Sequence, residues 1–270
     1  GSEMCIRDRR KGMEQAAQDL NVELRFLIPA EDNSAAQQAQ LLEREVTGAA
    51  SAVLLIPADR EALGDAVSAA AGKTTLVTVE TDMTAWGAAA SITMDHQELG
   101  AALGAAALNG VPEGGTVLLL DSLPGDNGIR ERMEAAKAVL EREGRQARVY
   151  KWDPDTTSLP DILRIERPRA IIAFEAAALA DVAELSRGED AFPLLYGCGS
   201  TASIAAALEK GRVTAITAVN VFSAGYLAVE AAAALARHED WTAAAPVAFS
   251  IVRQETMYDS DNQKLLFPVT

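Results

Sequence analysis

Residues Leu194 to Leu235 read LLYGCGSTASIAAALEKGRVTAITAVNVFSAGYLAVEAAAAL, and the order of properties along them decides the fold. A short continuous apolar run, Leu194 onward, ends in a Gly-rich turn. An Ala-rich segment follows and stops at Gly211, a second apolar run leads to Val219, and a further Ala-rich segment opens around Gly225-Tyr226. Short apolar runs bounded by turn residues fit strands buried on both faces, and the longer Ala-rich segments between them fit helices. Strand alternating with helix predicts a parallel sheet.

The same alternation extends outward. Toward the N-terminus, apolar spacing predicts a helix from about residue 6 to Leu20 and a strand over Val22 to Ile28. A helix capped by Ser34 and a strand over Ala52 to Ile56 follow. Next come a helix over Arg60 to Ala71, a strand over Thr75 to Val79 and a loop over Glu80 to Ala90 that carries Thr81, Asp82 and Trp86. Asp95-His-Gln-Glu98 has the form of a capping box opening a helix that runs to about Leu108. A strand over Thr116 to Leu120 then leads to the polar loop DSLPGDNG (Asp121 to Gly128) and a helix from about Ile129. Strands near Ala147 to Trp152 and Arg169 to Phe174 and helices over Leu159 to Ile165 and Ala176 to Leu185 complete the pattern. The tail shows only short apolar patches, at Ala248 to Val252 and within Glu255 to Pro268.

The expected fold class is therefore α/β, with two doubly wound units. The first is assigned residues 1–94 plus 220–252, the second residues 95–219 plus 253–270. In open parallel sheets ligands sit outside the carboxyl ends of the strands. The candidates are then Pro57 to Asp59, Glu80 to Asp82, Asp121 to Asn127, Glu175, Cys198 to Thr201, and Asn220 to Phe222.

Composition narrows the function. The chain has 270 residues, is 49% hydrophobic and 23% charged, and carries a formal charge of −15, which opposes a polyanionic partner such as nucleic acid. Its 2 cysteines, Cys5 and Cys198, lie far apart, and neither they nor His96 and His238 form a cluster with metal-ligand spacing, so no metal and no cofactor is assigned. No apolar run approaches the roughly 18–20 residues that span a bilayer.

Motifs in order along nearly the whole chain resemble a family. Gly12-Met-Glu-Gln-Ala-Ala17, Leu54-Leu-Ile-Pro-Ala-Asp59, Val79-Glu-Thr-Asp82, Asp95-His-Gln-Glu-Leu-Gly100, Arg130-Glu-Arg132 and Gly225-Tyr226 are similar to the corresponding runs of sugar-type periplasmic binding proteins of the ribose-binding class. The resemblance implies the type I periplasmic binding fold, two Rossmann-like lobes joined by three crossovers that close on ligand by hinge motion. It implies no catalysis and an extracytoplasmic protein that captures a carbohydrate-like small molecule and delivers it to the membrane permease of an ATP-driven importer. A ligand-sensing domain of a receptor, signalling to a sensor kinase, or of a repressor-type regulator is the alternative on the same fold. Arg132 is implied as the donor to sugar hydroxyls or ring oxygen, Glu80 as the acceptor of hydroxyl protons, and Phe222 as a ring-stacking face. Asp82, Glu175, Asn220 and Ser122 complete the implied ligand set.

Departures from the family pattern are also visible. Ile56, Gly199 and Val219 stand where the ribose binder has polar contacts, Glu175 replaces an Asn, and Ala135 replaces a Gly. The family opens on a central strand of the first sheet, whereas only Met4-Cys-Ile6 precedes the first helix; the expectation is that the native N-terminus, and with it the export signal, is missing from this sequence. An enzyme reading rests on Gly197-Cys-Gly199-Ser-Thr-Ala202, which fits the G-x-G-x-x-A dinucleotide pattern. The next strand, however, ends at Val219-Asn220 with no acid to hold a ribose. Cys198 reads as a small buried hydrophobe and Asp95 as a helix cap.

Overall fold

The computed structural model describes residues 3–31, 33–48, 50–189, 191–242 and 246–267. In chain order the elements are α1 (Glu3–Leu20), α2 (Ala35–Val46), β1 (Ala52–Leu55), α3 (Arg60–Ala71), β2 (Thr75–Val79), β3 (Ala90–Ile92), α4 (His96–Leu108), β4 (Thr116–Asp121) and α5 (Asn127–Arg142). They continue as β5 (Gln146–Lys151), α6 (Leu159–Glu166), β6 (Ala170–Ala173), α7 (Ala176–Leu185), β7 (Leu194–Cys198), α8 (Ala202–Glu209), β8 (Ala215–Val219), α9 (Val221–Ala236), β9 (Phe249–Arg253) and α10 (Ser260–Leu266). Two compact units result: a first of Cys5–Met94 and Asn220–Val247, and a second of Asp95–Val219 and Ala248–Thr270 with Gly1–Met4.

The second unit is built on a six-stranded sheet in the order β5-β4-β6-β7-β8-β9. Its first five strands run parallel, and β9 pairs antiparallel with β8, Val219 opposite Phe249 and Ala215 opposite Arg253. The runs VLLL in β4 and AIIA in β6 are wholly buried, as strands covered on both faces must be. On one face Leu118, Leu120 and Ile171 pack with Ile162 of α6, Leu179 and Val182 of α7, and Ile204 and Leu208 of α8. On the far side of α4, Gly100 and Gly104 bring the helix against the backbone of α5 at Arg132 and Ala136.

The first unit holds a three-stranded parallel sheet, β1-β2-β3. Leu42, Leu63 and Val67 of α2 and α3 pack with Leu76 and Met83, and Trp86 lies against the same cluster. The opposite side of β2 and β3, Val77, Val79, Ala90 and Ile92, packs on Ala224, Ala228 and Ala231 of α9. Helix α1 joins α9 through Met13, Ala16 and Val229.

Short polar side chains fix the helix starts where the loops return from the sheets. Asp59, Asp95, Asp126 and Asn220 accept from the amides of Ala62, Glu98, Ile129 and Ser223 at 2.9, 2.8, 2.9 and 2.9 Å. Asp95 is a cap, as its place before an Ala-rich run implies.

Three expectations are corrected. Val22 to Ile28 forms no strand: the side of β1 not taken by β2 has no ladder partner among the described residues, and an apolar alternation without a partner makes no sheet. Residues Glu3–Leu20 are all helical and add no strand to this sheet, in keeping with the expected opening helix. The loop assigned over Glu80 to Ala90 ends in β3, whose 3 residues are too short for a periodicity to register. The patch at 248–252, assigned to the first unit, is the strand β9 and pairs with β8 in the second, and the tail after it closes with helix α10.

Candidate functional site

Both sheets end their strands on loops that carry the polar residues singled out in the sequence. In the second unit the central feature is Arg132, in the second turn of α5. Its Nε donates to Nδ1 of His96 at 3.0 Å and its Nη1 to the carbonyl oxygen of Phe174 at 2.9 Å. Phe174 is fully buried at the end of β6, so the guanidinium is anchored over the carboxyl end of that strand. His96 is the first residue of α4, buried, with its ring against Gly128 of α5. Both of these acceptors are neutral groups.

Glu175 follows Phe174 directly and occupies the N-cap position of α7, where its side chain makes no capping bond. Cys198, at the end of β7, is buried; burial pushes its thiol up, an effect opposed by the nearby Arg132 guanidinium and reinforced by the Glu175 carboxylate. Arg132, Glu175 and Cys198 therefore share one locality above β6 and β7. Ser122 lies at the end of β4 in a cavity of about 390 Å³ shared with Pro124, Lys151, Trp152, Asp153 and Thr157. Its Oγ is buried and has no hydrogen-bond partner among the described residues.

The turn Gly197-Cys-Gly199 is explained by packing. Gly199 has φ 125°, and a Cβ there would lie 2.7 Å from that of Ala176. Thr201 caps α8 through its Oγ1, so the helix start is served from within the chain. No carboxylate follows at the end of β8, which leaves the dinucleotide pattern without its ribose acceptor.

In the first unit Glu80 ends β2 in the left-handed region, with φ 72°, and forms an ion pair with Arg9 of α1. A non-glycine residue there is a strained conformation of the kind that gathers at binding sites. The Oδ1 of Asp82 accepts from the amide and hydroxyl of Thr84 at 2.8 and 2.7 Å, so it closes its own loop. Asn220 spends its Oδ1 on capping α9. Phe222, two residues on, is 39% exposed, an available apolar face. Trp86 packs its indole edge over Gly64 of α3 and belongs to the core of this unit.

Two residues at these strand ends were not singled out for ligand binding in the sequence. In the sequence His96 reads only as an imidazole without a metal-ligand cluster around it. Arg9 lies in a helical stretch with no motif of its own. The available signal for His96 was its place directly after a helix cap on an unusually small-residue helix, LGAALGAAA, which implies a close-packed partner.

A family described as the periplasmic binding protein domain matches residues 6–240. Among curated proteins, none matches the sequence. Among solved structures, the chain is similar to a carbohydrate transporter solute binding protein from Agrobacterium radiobacter in complex with D-arabinose. The TM-score is 0.90 at 18% identity, covering 98% of this chain and 95% of that one. A solute binding protein of an ABC transporter from Agrobacterium vitis with bound D-fucose gives a TM-score of 0.90 at 16% identity, with 98% and 97% covered. A glucose-galactose binding protein from Geobacillus stearothermophilus gives 0.84 at 17%, with 96% and 95% covered. At these identities the likeness shows the fold.

Proposed function

The chain belongs to the periplasmic binding protein domain family, and from that premise we propose that it is the solute-binding component of an ATP-driven importer, capturing a sugar or sugar-like molecule outside the cytoplasm. The observation that carries the reading is Arg132, held at the carboxyl end of β6 by His96 and by the carbonyl of Phe174. A fork fixed by two neutral acceptors is preorganised to donate to hydroxyl and ring oxygens. Glu80 supplies the opposite polarity, an acceptor for hydroxyl protons, and Ser122 a further hydroxyl. Phe222 offers a face to the apolar side of a sugar ring. The similar structures with D-arabinose and D-fucose bound support a sugar as the ligand class.

Binding and release suffice for this role, and no catalytic step is assigned to any residue. The partner implied is a membrane permease that receives the loaded protein.

Thermal unfolding with D-arabinose, D-fucose, D-tagatose, D-glucose and D-galactose tests the reading, because a ligand that binds the native state raises the midpoint in proportion to its saturation. A concentration-dependent rise with at least one sugar is expected. Unchanged midpoints with all of them at about 10 mM, a concentration far above the affinities that stabilise proteins measurably, would refute it.

A further inference from the structure

We propose that Glu175 determines ligand specificity, and that the class it selects is an amino sugar, whose ammonium group its carboxylate receives. The proposal rests on the reading that a sugar binds at the carboxyl end of β6 beside Arg132. The backbone of Glu175 is committed. Its carbonyl accepts the amide of Leu179 at 3.1 Å, the first bond of α7, and the turn is fixed from the side by Gly199, where a Cβ would lie 2.7 Å from that of Ala176. The side chain is not committed: it makes no capping bond, and among the described residues it has no hydrogen bond and no ion pair. Asp59, Asp95 and Asp126, one methylene shorter at the same place before their helices, are each spent on a helix amide. A glutamate there is not a capping residue.

The surroundings set a donor and an acceptor side by side. Phe174, directly before Glu175, receives Nη1 of Arg132 on its carbonyl at 2.9 Å, and the Cys198 thiol feels both the guanidinium and the Glu175 carboxylate. Although they share this strand end, no ion pair joins Arg132 to Glu175, so the carboxylate is not neutralised from within the unit. A ligand settling here displaces water from a half-buried carboxylate, and that loss has to be met with donors. A sugar hydroxyl returns one donor. An ammonium returns up to three together with the opposite charge, where the dielectric is low enough for the charge to count. A hydroxylated ring bearing an amine complements both groups, its oxygens accepting from Arg132 and its ammonium donating to Glu175. A neutral sugar leaves the carboxylate under-satisfied, and a sugar acid sets a second anion against it. The formal charge of −15 acts in the same direction, drawing cations toward the protein.

The test is calorimetric titration of the full chain, as wild type, Glu175→Gln and Glu175→Ser, with pairs of hexoses that differ in one group: D-glucosamine and D-glucose, D-galactosamine and D-galactose, D-mannosamine and D-mannose. The titrations are run at about pH 6.5, below the range in which an amine of this kind loses its proton. Gln keeps the length of Glu without its charge. Ser also removes the charge and supplies a capping hydroxyl, so it keeps the test open should Glu175→Gln fold poorly. Wild type should bind at least one amino sugar about tenfold or more tightly than its neutral partner, the worth of one charge-assisted hydrogen bond. In both variants that preference should disappear.

Neutral sugars that bind wild type as tightly as their amino partners overturn the proposal and leave the sugar reading standing. A preference that survives in Glu175→Gln and Glu175→Ser places the amine against another residue and overturns it as well. Titrations in which none of these sugars binds wild type refute the sugar reading and this proposal together.

Discussion

A Cβ added at Gly100 would lie 2.0 Å from the carbonyl oxygen of Arg132. Helices α4 and α5 thus touch backbone to backbone at the residue whose side chain is anchored by His96 and Phe174, and the position of the guanidinium is set by how closely two helices can approach. Gly104 against Ala136 repeats the contact one turn on.

Replacing Gly100 by Ala forces the helices apart. Overpacking of this kind costs about 1–3 kcal/mol, to be read as a lower midpoint in urea denaturation. The same displacement pulls Arg132 away from His96, so sugar affinity should fall together with stability. Gly100→Ala with wild-type stability would show that the contact yields more easily than the geometry implies.

Arg132→Lys keeps the charge and removes the fork. An ammonium cannot hold His96 Nδ1 and the Phe174 carbonyl in one plane and still present ordered donors. Affinity for a bound sugar is expected to fall by about tenfold or more, the loss of one or two charge-assisted hydrogen bonds. The melting temperature should move little in comparison. Calorimetry of the variant beside wild type checks this, and equal affinities would remove Arg132 from the ligand set.

Arg167 closes α6 with φ 45° while its amide bonds the carbonyl of Leu163. An L-residue in this region carries a steric cost of about 1 kcal/mol that glycine does not. The side chain is exposed, and Arg167→Gly is therefore expected to raise stability by roughly that amount, seen as an increase in the denaturation midpoint. A decrease would mean that the arginine makes a stabilising contact of greater worth.

Cys198 is buried, and burial raises its thiol above the ordinary value. The folded state therefore holds the proton more tightly than the unfolded chain. Its contribution to stability is fully present below the unfolded-state value and is lost as pH rises from there through the folded-state value. In a Cys5→Ser background, Cys198 should resist a disulfide reagent in native buffer and react at once in denaturant. Rapid reaction of the native protein would contradict the burial.

The repeated alternation of short apolar runs with Ala-rich segments determined the α/β class, because parallel strands covered on both faces have no polar side to show. The same alternation, with the order of family motifs along it, also made the strand ends legible as the place to look, and Arg132 with them. Capping residues were legible for a local reason: the side chain of Asp95 or Asn220 reaches an amide only three residues away. Partners distant in the chain were not. Val22 to Ile28 has the alternation of a strand and forms none, since a strand exists only with a neighbour to receive its hydrogen bonds. The tail strand β9 was assigned to the wrong unit because its pairing with β8 spans some thirty residues of sequence. That His96, 36 residues before Arg132, should hold its guanidinium is likewise a product of helix packing. What the sequence determined by itself was each segment's own preference and the ends of its strands; which side chain anchors which was decided only in the tertiary structure, where two glycines let α4 and α5 approach closely enough for the bond to form.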